Sequence, residues 1–237
     1  MLLKFNLTSK HAFRLLMGLL CIEVIFCIIY FTDFILNEPN WRIHTLFNLD
    51  GETNITAWFS SIQLFMIGLI ALLTAQNQYY KAPPSKKGLT IFGLGFMYLS
   101  MDEGASIHEK ITLEFHNNPL VPYFDGVHGI WIVVYGAIGI VVSIILWRDI
   151  WAIFKHYRPE SLIFLFGIII YLAGTAGAET ITYFFIDKTN ALVYTLEVIL
   201  EEFLEMLGAS ILLYTVLLIS LKKTDPENLG TDTKNFI

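Results

Sequence analysis

Four stretches of this chain set acids in apolar surroundings. LSMDEGASIHEK holds Asp102, Glu103, His108 and Glu109; LEVILEEFLEM holds Glu197, Glu201, Glu202 and Glu205; AGTAGAET carries Glu179; FDGVHG holds Asp125 and His128. Residues four apart on a helix share a face, so Glu197, Glu201 and Glu205 form one stripe, with Glu202 further round. At about 100° per residue Asp102, Ser106 and Glu109 form a second stripe with Glu103 at its edge. His108 points away from that stripe unless the helix is distorted. Asp125 and His128 are three apart and can face the same way where a helix begins. An oxygen-rich set of this kind suits Mn, Mg or Ca, and adding His admits Zn or Fe. The same carboxyls can carry protons instead, because burial and neighbouring like charges favour the neutral form. The candidate set for a divalent metal ion or protons is therefore Asp102, Glu103, His108, Glu109, His128, Glu179, Glu197, Glu201 and Glu205.

The elements that must position these groups are long apolar helices. Of 237 residues 55% are hydrophobic and only 15% charged, well below the ~25% charged residues of soluble domains. The formal net charge of −6 also argues against a nucleic-acid partner, which asks for a basic face. A helix rises about 1.5 Å per residue and a bilayer core is about 30 Å thick, so about 20 apolar residues span it. Six segments qualify, at about 12–32, 56–75, 89–109, 128–147, 161–185 and 192–220. The sequence thus predicts an all-α polytopic membrane bundle, one domain over 1–221, and a solvated tail over 222–237. Short turns with Pro83-Pro84 and Pro159 separate some of the segments.

Basic residues orient the bundle. With the N-terminus in the cytoplasm, Lys4, Lys10, Arg14, Lys81, Lys86, Lys87, Arg148, Lys155, Arg158, Lys222, Lys223 and Lys234 fall inside, and only Arg42, Lys110 and Lys188 fall outside. Both termini are therefore expected in the cytoplasm of a cell-membrane protein. Of the 21 acids, Asp149, Glu160, Asp225, Glu227 and Asp232 lie inside; the other sixteen lie within spans or outside. One acid near the bilayer centre costs about 2.5–3.5 kcal/mol on insertion scales, so these acids are expected to face the bundle interior. Three outer basic side chains cannot neutralise sixteen acids. Protons or bound cations must do much of it. Glu23, midway along the first segment, either joins that site or hydrogen-bonds locally.

Other motifs fail. Cys21 and Cys27 sit inside the first apolar run with no metal-ligand spacing, and there is no H-E-x-x-H, G-x-S-x-G, P-loop or dinucleotide fingerprint. Asp50, Glu52 and Asn54 begin like a calcium loop, but Ile55 and Ser61 stand where Gly and Glu are needed. Asn54-Ile-Thr56 is a formal glycosylation sequon abutting the second span. His11, His44, His116 and His156 read as surface or interface residues. Taken together, FNLDGETNITAWFS, LSMDEGASIHEK and LEEFLEMLGASILLY resemble a group of uncharacterised bacterial multi-pass membrane proteins. That resemblance implies no activity. Membrane hydrolases related to alkaline ceramidases are a poorer comparison, since the chain has no HxxxH.

Three functions fit these residues. The leading one is an outward-facing intramembrane carboxylate site for a divalent cation or protons, in a transport or sensing protein. The second is a metal-dependent membrane enzyme acting on a lipid or lipid-linked substrate, with a carboxylate taking the proton of a metal-bound water. The third is a non-catalytic membrane subunit that docks a partner helix, with Trp41 and Trp58 anchored at the interface.

Overall fold

The computed structural model describes residues 8–76, 83–115, 130–186 and 189–224, and every regular element in them is helical. Among the described residues the α-helices are, in order, α1 Ser9–Ile35, α2 Trp41–Phe47, α3 Ile55–Gln76, α4 Lys86–Ala105, α5 Ile107–Phe115, α6 Ile130–Ile145, α7 Trp147–His156, α8 Arg158–Leu172, α9 Glu179–Phe185 and α10 Ala191–Thr224. A π-helical stretch, Ala173–Ala178, joins α8 to α9.

Among the described residues four stretches are long and apolar enough to cross a membrane: Ser9–Ile35, Ile55–Gln76, Arg158–Thr182 and Ala191–Lys223. The count rises to five if α6 and α7, bent by 68° at their junction, form one span. The chain is therefore a multi-pass membrane protein by helix length and hydropathy. The third predicted span, α4, is not among them. Two lysines at its start, Asp102 and Glu103 near its end and three glycines between leave it less apolar than its neighbours.

The longest helix, α10, forms the axis. Its Ala209, Leu212, Leu213 and Val216 make the main core with Leu64 and Ile67 of α3, and Phe164 and Ile168 of α8 and Phe92 and Phe96 of α4 close round it. A second cluster joins Phe26, Leu49, Val198 and Met206. Without a hydrophobic drive between helices in lipid, small residues and interhelical hydrogen bonds carry association. The α3·α4 pair uses both. A Cβ on Gly68 would lie 2.7 Å from the Gly93 carbonyl oxygen, so these backbones all but touch. Nearer the acidic end Ser61 Oγ donates to the Ser100 carbonyl at 2.7 Å and Ser100 Oγ donates to that of Ser61 at 2.8 Å.

By contrast, α6 packs chiefly on its chain neighbours α5 and α7. At its start Trp131 Nε1 donates to Glu179 Oε2 at 2.8 Å and the Tyr135 and Tyr98 hydroxyls meet at 2.9 Å, tying it to α9 and α4. Beyond that level it parts from the bundle. Cβ atoms added at Gly136 or Gly139 would meet nothing within 4 Å.

At the opposite end the first residues of the expected tail, 222–224, continue the last helix. Helix α10 continues to Thr224, Lys222 Nζ pairs with Glu160 Oε1 at 2.6 Å, and the buried Lys223 ammonium donates to the Pro84 carbonyl at 2.9 Å. Asp149 accepts from Ser85 N at 2.6 Å and Ser85 Oγ at 3.0 Å, fastening α7 to the residue that caps α4.

Candidate functional site

The site begins at a helix break. Lys86–Ala105 does not run on through His108 as the single predicted span 89–109 requires, because Ser106 adopts a left-handed backbone, φ 49°, and a new helix starts at Ile107. Asp102 bridges the break: its Oδ1 accepts from His108 N at 2.7 Å and its Oδ2 lies 3.3 Å from His108 Nδ1. The stripe of Asp102, Ser106 and Glu109 is thereby cut, and the break swings His108 back towards the acids. Its Nε2 lies 3.9 Å from Glu52 Oε1, and Ser106 Oγ donates to Glu52 Oε2 at 2.8 Å. Burial pulls the His108 pKa down, but Asp102, Glu52 and Glu103 outweigh it and raise it to about 9. Burial also raises the pKa of Glu52, against the Ser106 hydrogen bond and the His108 ring.

Glu52 sits on a well-built loop. Asn54 Oδ1 accepts from Thr56 N at 2.9 Å and Ala57 N at 3.1 Å, while its Nδ2 donates back to the Gly51 carbonyl at 2.7 Å. Asn54 therefore starts α3 as a helix cap. Neither a calcium loop nor an open sequon describes its surroundings.

Three further helical segments supply the rest. On α10, Glu197 is buried and accepts from Thr182 Oγ1 of α9, and Glu201, Glu202 and Glu205 follow it along the helix. The π-helical AGTAGA stretch lies directly against that ladder: a Cβ on Gly174 would come within 2.7 Å of Glu205 Cγ and 2.9 Å of the Glu201 carbonyl oxygen. Glycine is what allows the approach. Such π segments cluster at functional sites. Glu179 follows this stretch and accepts the Trp131 indole, whose ring stands edge-on to His108 at 5.3 Å.

The acids of this region, His108, Trp131 and Thr182 line one cavity of about 1390 Å³. Asp102, Glu103, His108, Glu109, Glu179, Glu197, Glu201 and Glu205 are all on its wall, so every described member of the candidate set meets there. His128, with Asp125, lies outside the described residues. Sequence reasoning set Glu202 aside as further round and rejected Asp50 and Glu52 with the calcium loop, yet all three line the same space. The Tyr194 hydroxyl donates to Asp50 at 2.9 Å. The block FNLDGETNITAWFS, one of the three that carry the resemblance, was the available signal for Asp50 and Glu52. No Lys or Arg lies on the described wall. Away from the acids the cavity runs along α6, past Gly136, Gly139, Ile140, Ile144 and Trp147.

Residues 15–221 match a family described as Domain of unknown function (DUF8692). The chain belongs to this family. The match starts within α1 and ends within α10, so the family region contains every described acid of the cavity. No curated protein and no solved structure matches the chain.

The metal reading meets a geometric test here. Among the described residues no three His, Cys, Asp or Glu side chains are grouped so as to hold a metal ion. Several candidates already have other partners: Asp102 holds the helix break, Glu179 the Trp131 indole and Glu197 the Thr182 hydroxyl. What remains is an acid-lined chamber with an apolar extension. Such a chamber can accept protons, or the positive end of an organic molecule.

Proposed function

We propose that this DUF8692 protein is an integral membrane protein of transport or sensing type, whose intramembrane acidic cavity binds cations in exchange for protons. The observation that carries this reading is a described wall of ten carboxyl-bearing residues and one histidine that includes no Lys or Arg. So many like charges at low dielectric cannot all stay ionised. In the resting state protons neutralise most of them. A cationic ligand takes over that role when it binds.

Size selects the ligand. Small-molecule sites occupy roughly 300–1,000 Å³, and a cavity of about 1390 Å³ is far larger than an ion needs. The apolar stretch along α6 suits the hydrophobic part of an organic cation, with its charge among Glu201, Glu202 and Glu205. The excess of basic residues at the other end of the bundle supports cytoplasmic termini, so the acids open towards the outside.

The test is equilibrium binding of tetraphenylphosphonium to the full chain in lipid nanodiscs. Saturable binding is expected near neutral pH, at least about tenfold weaker, or about 1.4 kcal/mol, in Glu201→Gln/Glu202→Gln/Glu205→Gln. Equal binding by this variant would refute the reading. Thermal stabilisation by Mn, Mg, Ca, Zn or Fe that vanishes in Glu201→Gln would restore the metal instead.

One observation favours a second reading, an enzyme acting on a lipid or lipid-linked substrate: the apolar half of the cavity follows the helix that stands off from the bundle. Turnover of a lipid by the purified protein, lost in Glu202→Gln, would support it.

A further inference from the structure

Outside the cavity wall, three polar side chains from three different helices meet in the core. Glu23 of α1 is 0% exposed, Gln63 of α3 1% and Ser210 of α10 0%. Glu23 Oε1 accepts from Gln63 Nε2 at 3.0 Å and from Ser210 Oγ at 2.6 Å. Gln63 Nε2 also reaches Ser210 Oγ at 2.8 Å and the Met206 carbonyl at 3.4 Å. Two buried atoms of this group have no hydrogen-bond partner among the described residues, and they are Glu23 Oε2 and Gln63 Oε1.

The identity of those two atoms matters. Both are acceptor oxygens, one on a carboxylate and one on an amide, and they belong to side chains already joined by one hydrogen bond. An unsatisfied buried acceptor loses its hydration with nothing in return, and a carboxylate without a cation loses more. Among the described residues no Lys, Arg or His is paired with Glu23. A single proton answers all three problems. Placed on Glu23 Oε2, it removes the charge, turns that oxygen into a donor, and gives Gln63 Oε1 the donor it lacks. One side of a carboxylic acid–amide pair, the amide N–H to the Glu23 oxygen, is already in place.

We propose that Glu23, Gln63 and Ser210 form a proton-binding site, in which Glu23 holds one proton on Oε2 and donates it to Gln63 Oε1. Met206, whose carbonyl accepts from Gln63, directly follows Glu205 of the cavity wall, so the proton is stored next to the acids without being one of them. This site stands on its own observation and does not depend on the ligand proposed for the cavity.

Infrared difference spectroscopy of the full chain in lipid, wild type against Glu23→Gln, tests it. The expected result is loss of one protonated-carboxyl carbonyl band in Glu23→Gln. Gln63→Leu should move that band to higher frequency, because the carboxyl loses its amide partner. A Gln side chain also offers one donor and one acceptor to Gln63, so Glu23→Gln should melt at the wild-type temperature while Glu23→Ala melts lower. Loss of carboxylate bands instead of the carbonyl band would overturn the proposal. So would equal destabilisation by Gln and Ala.

Discussion

At the residue scale, His108 shows how one backbone torsion rearranges a site. Read as part of a continuous helix it points away from the acids. With Ser106 at φ 49° it lies 3.3 Å from Asp102 and 3.9 Å from Glu52. Its pKa rises from 6.5 to about 9 because those carboxylates outweigh the burial. A histidine that binds its proton more tightly when folded stabilises the fold fully below its unfolded value and ceases to do so as pH climbs through the folded one. Thermal melting between pH 6.5 and 9 should therefore show a fall in stability that is shallower in His108→Gln. Parallel curves for the two proteins would contradict the charge assigned to this ring. The sequence showed that His108 belonged with the acids only by proximity, since nothing in GASIHEK announces a left-handed serine.

At the element scale, periodicity carried the reading well where helices are regular and poorly where they break. The i, i+4, i+8 ladder of Glu197, Glu201 and Glu205 lies on one continuous helix, and its three members reach one wall as that spacing requires. Glu202 reaches it too, because the cavity is wide enough to take more than one face of α10. The predicted spans 89–109 and 161–185 contain a left-handed serine and a π-helical stretch. Both irregularities depend on tertiary packing that the apolar pattern does not encode. Helix α6 gives a separate test of the apolar half of the cavity. Glycine within a helix is about 1 kcal/mol less favourable than alanine, and space beside Gly139 is open. Gly139→Leu should therefore leave the melting temperature unchanged or raised while weakening tetraphenylphosphonium binding severalfold. Unaltered affinity would detach this stretch from the ligand site.

At the scale of the whole molecule, the imbalance of charge is legible in composition and topology: many acids at one end, most bases at the other. The structure adds convergence. The described candidate acids come from α4, α5, α9 and α10 and share one chamber, while Lys222 and Lys223 are occupied at the far end by Glu160 and the Pro84 carbonyl. Apolar periodicity could not reveal the size of that chamber, because the standing-off of α6 depends on side chains it fails to meet. Protons neutralise the acids until a cation displaces them, and counting the released protons tests that exchange. Tetraphenylphosphonium added to the weakly buffered protein in nanodiscs near neutral pH, with a pH-sensitive dye in solution, should release protons in proportion to the sites filled, and release should disappear in Glu201→Gln/Glu202→Gln/Glu205→Gln. Saturable binding with no proton release from the wild type would refute the exchange of protons for a cation.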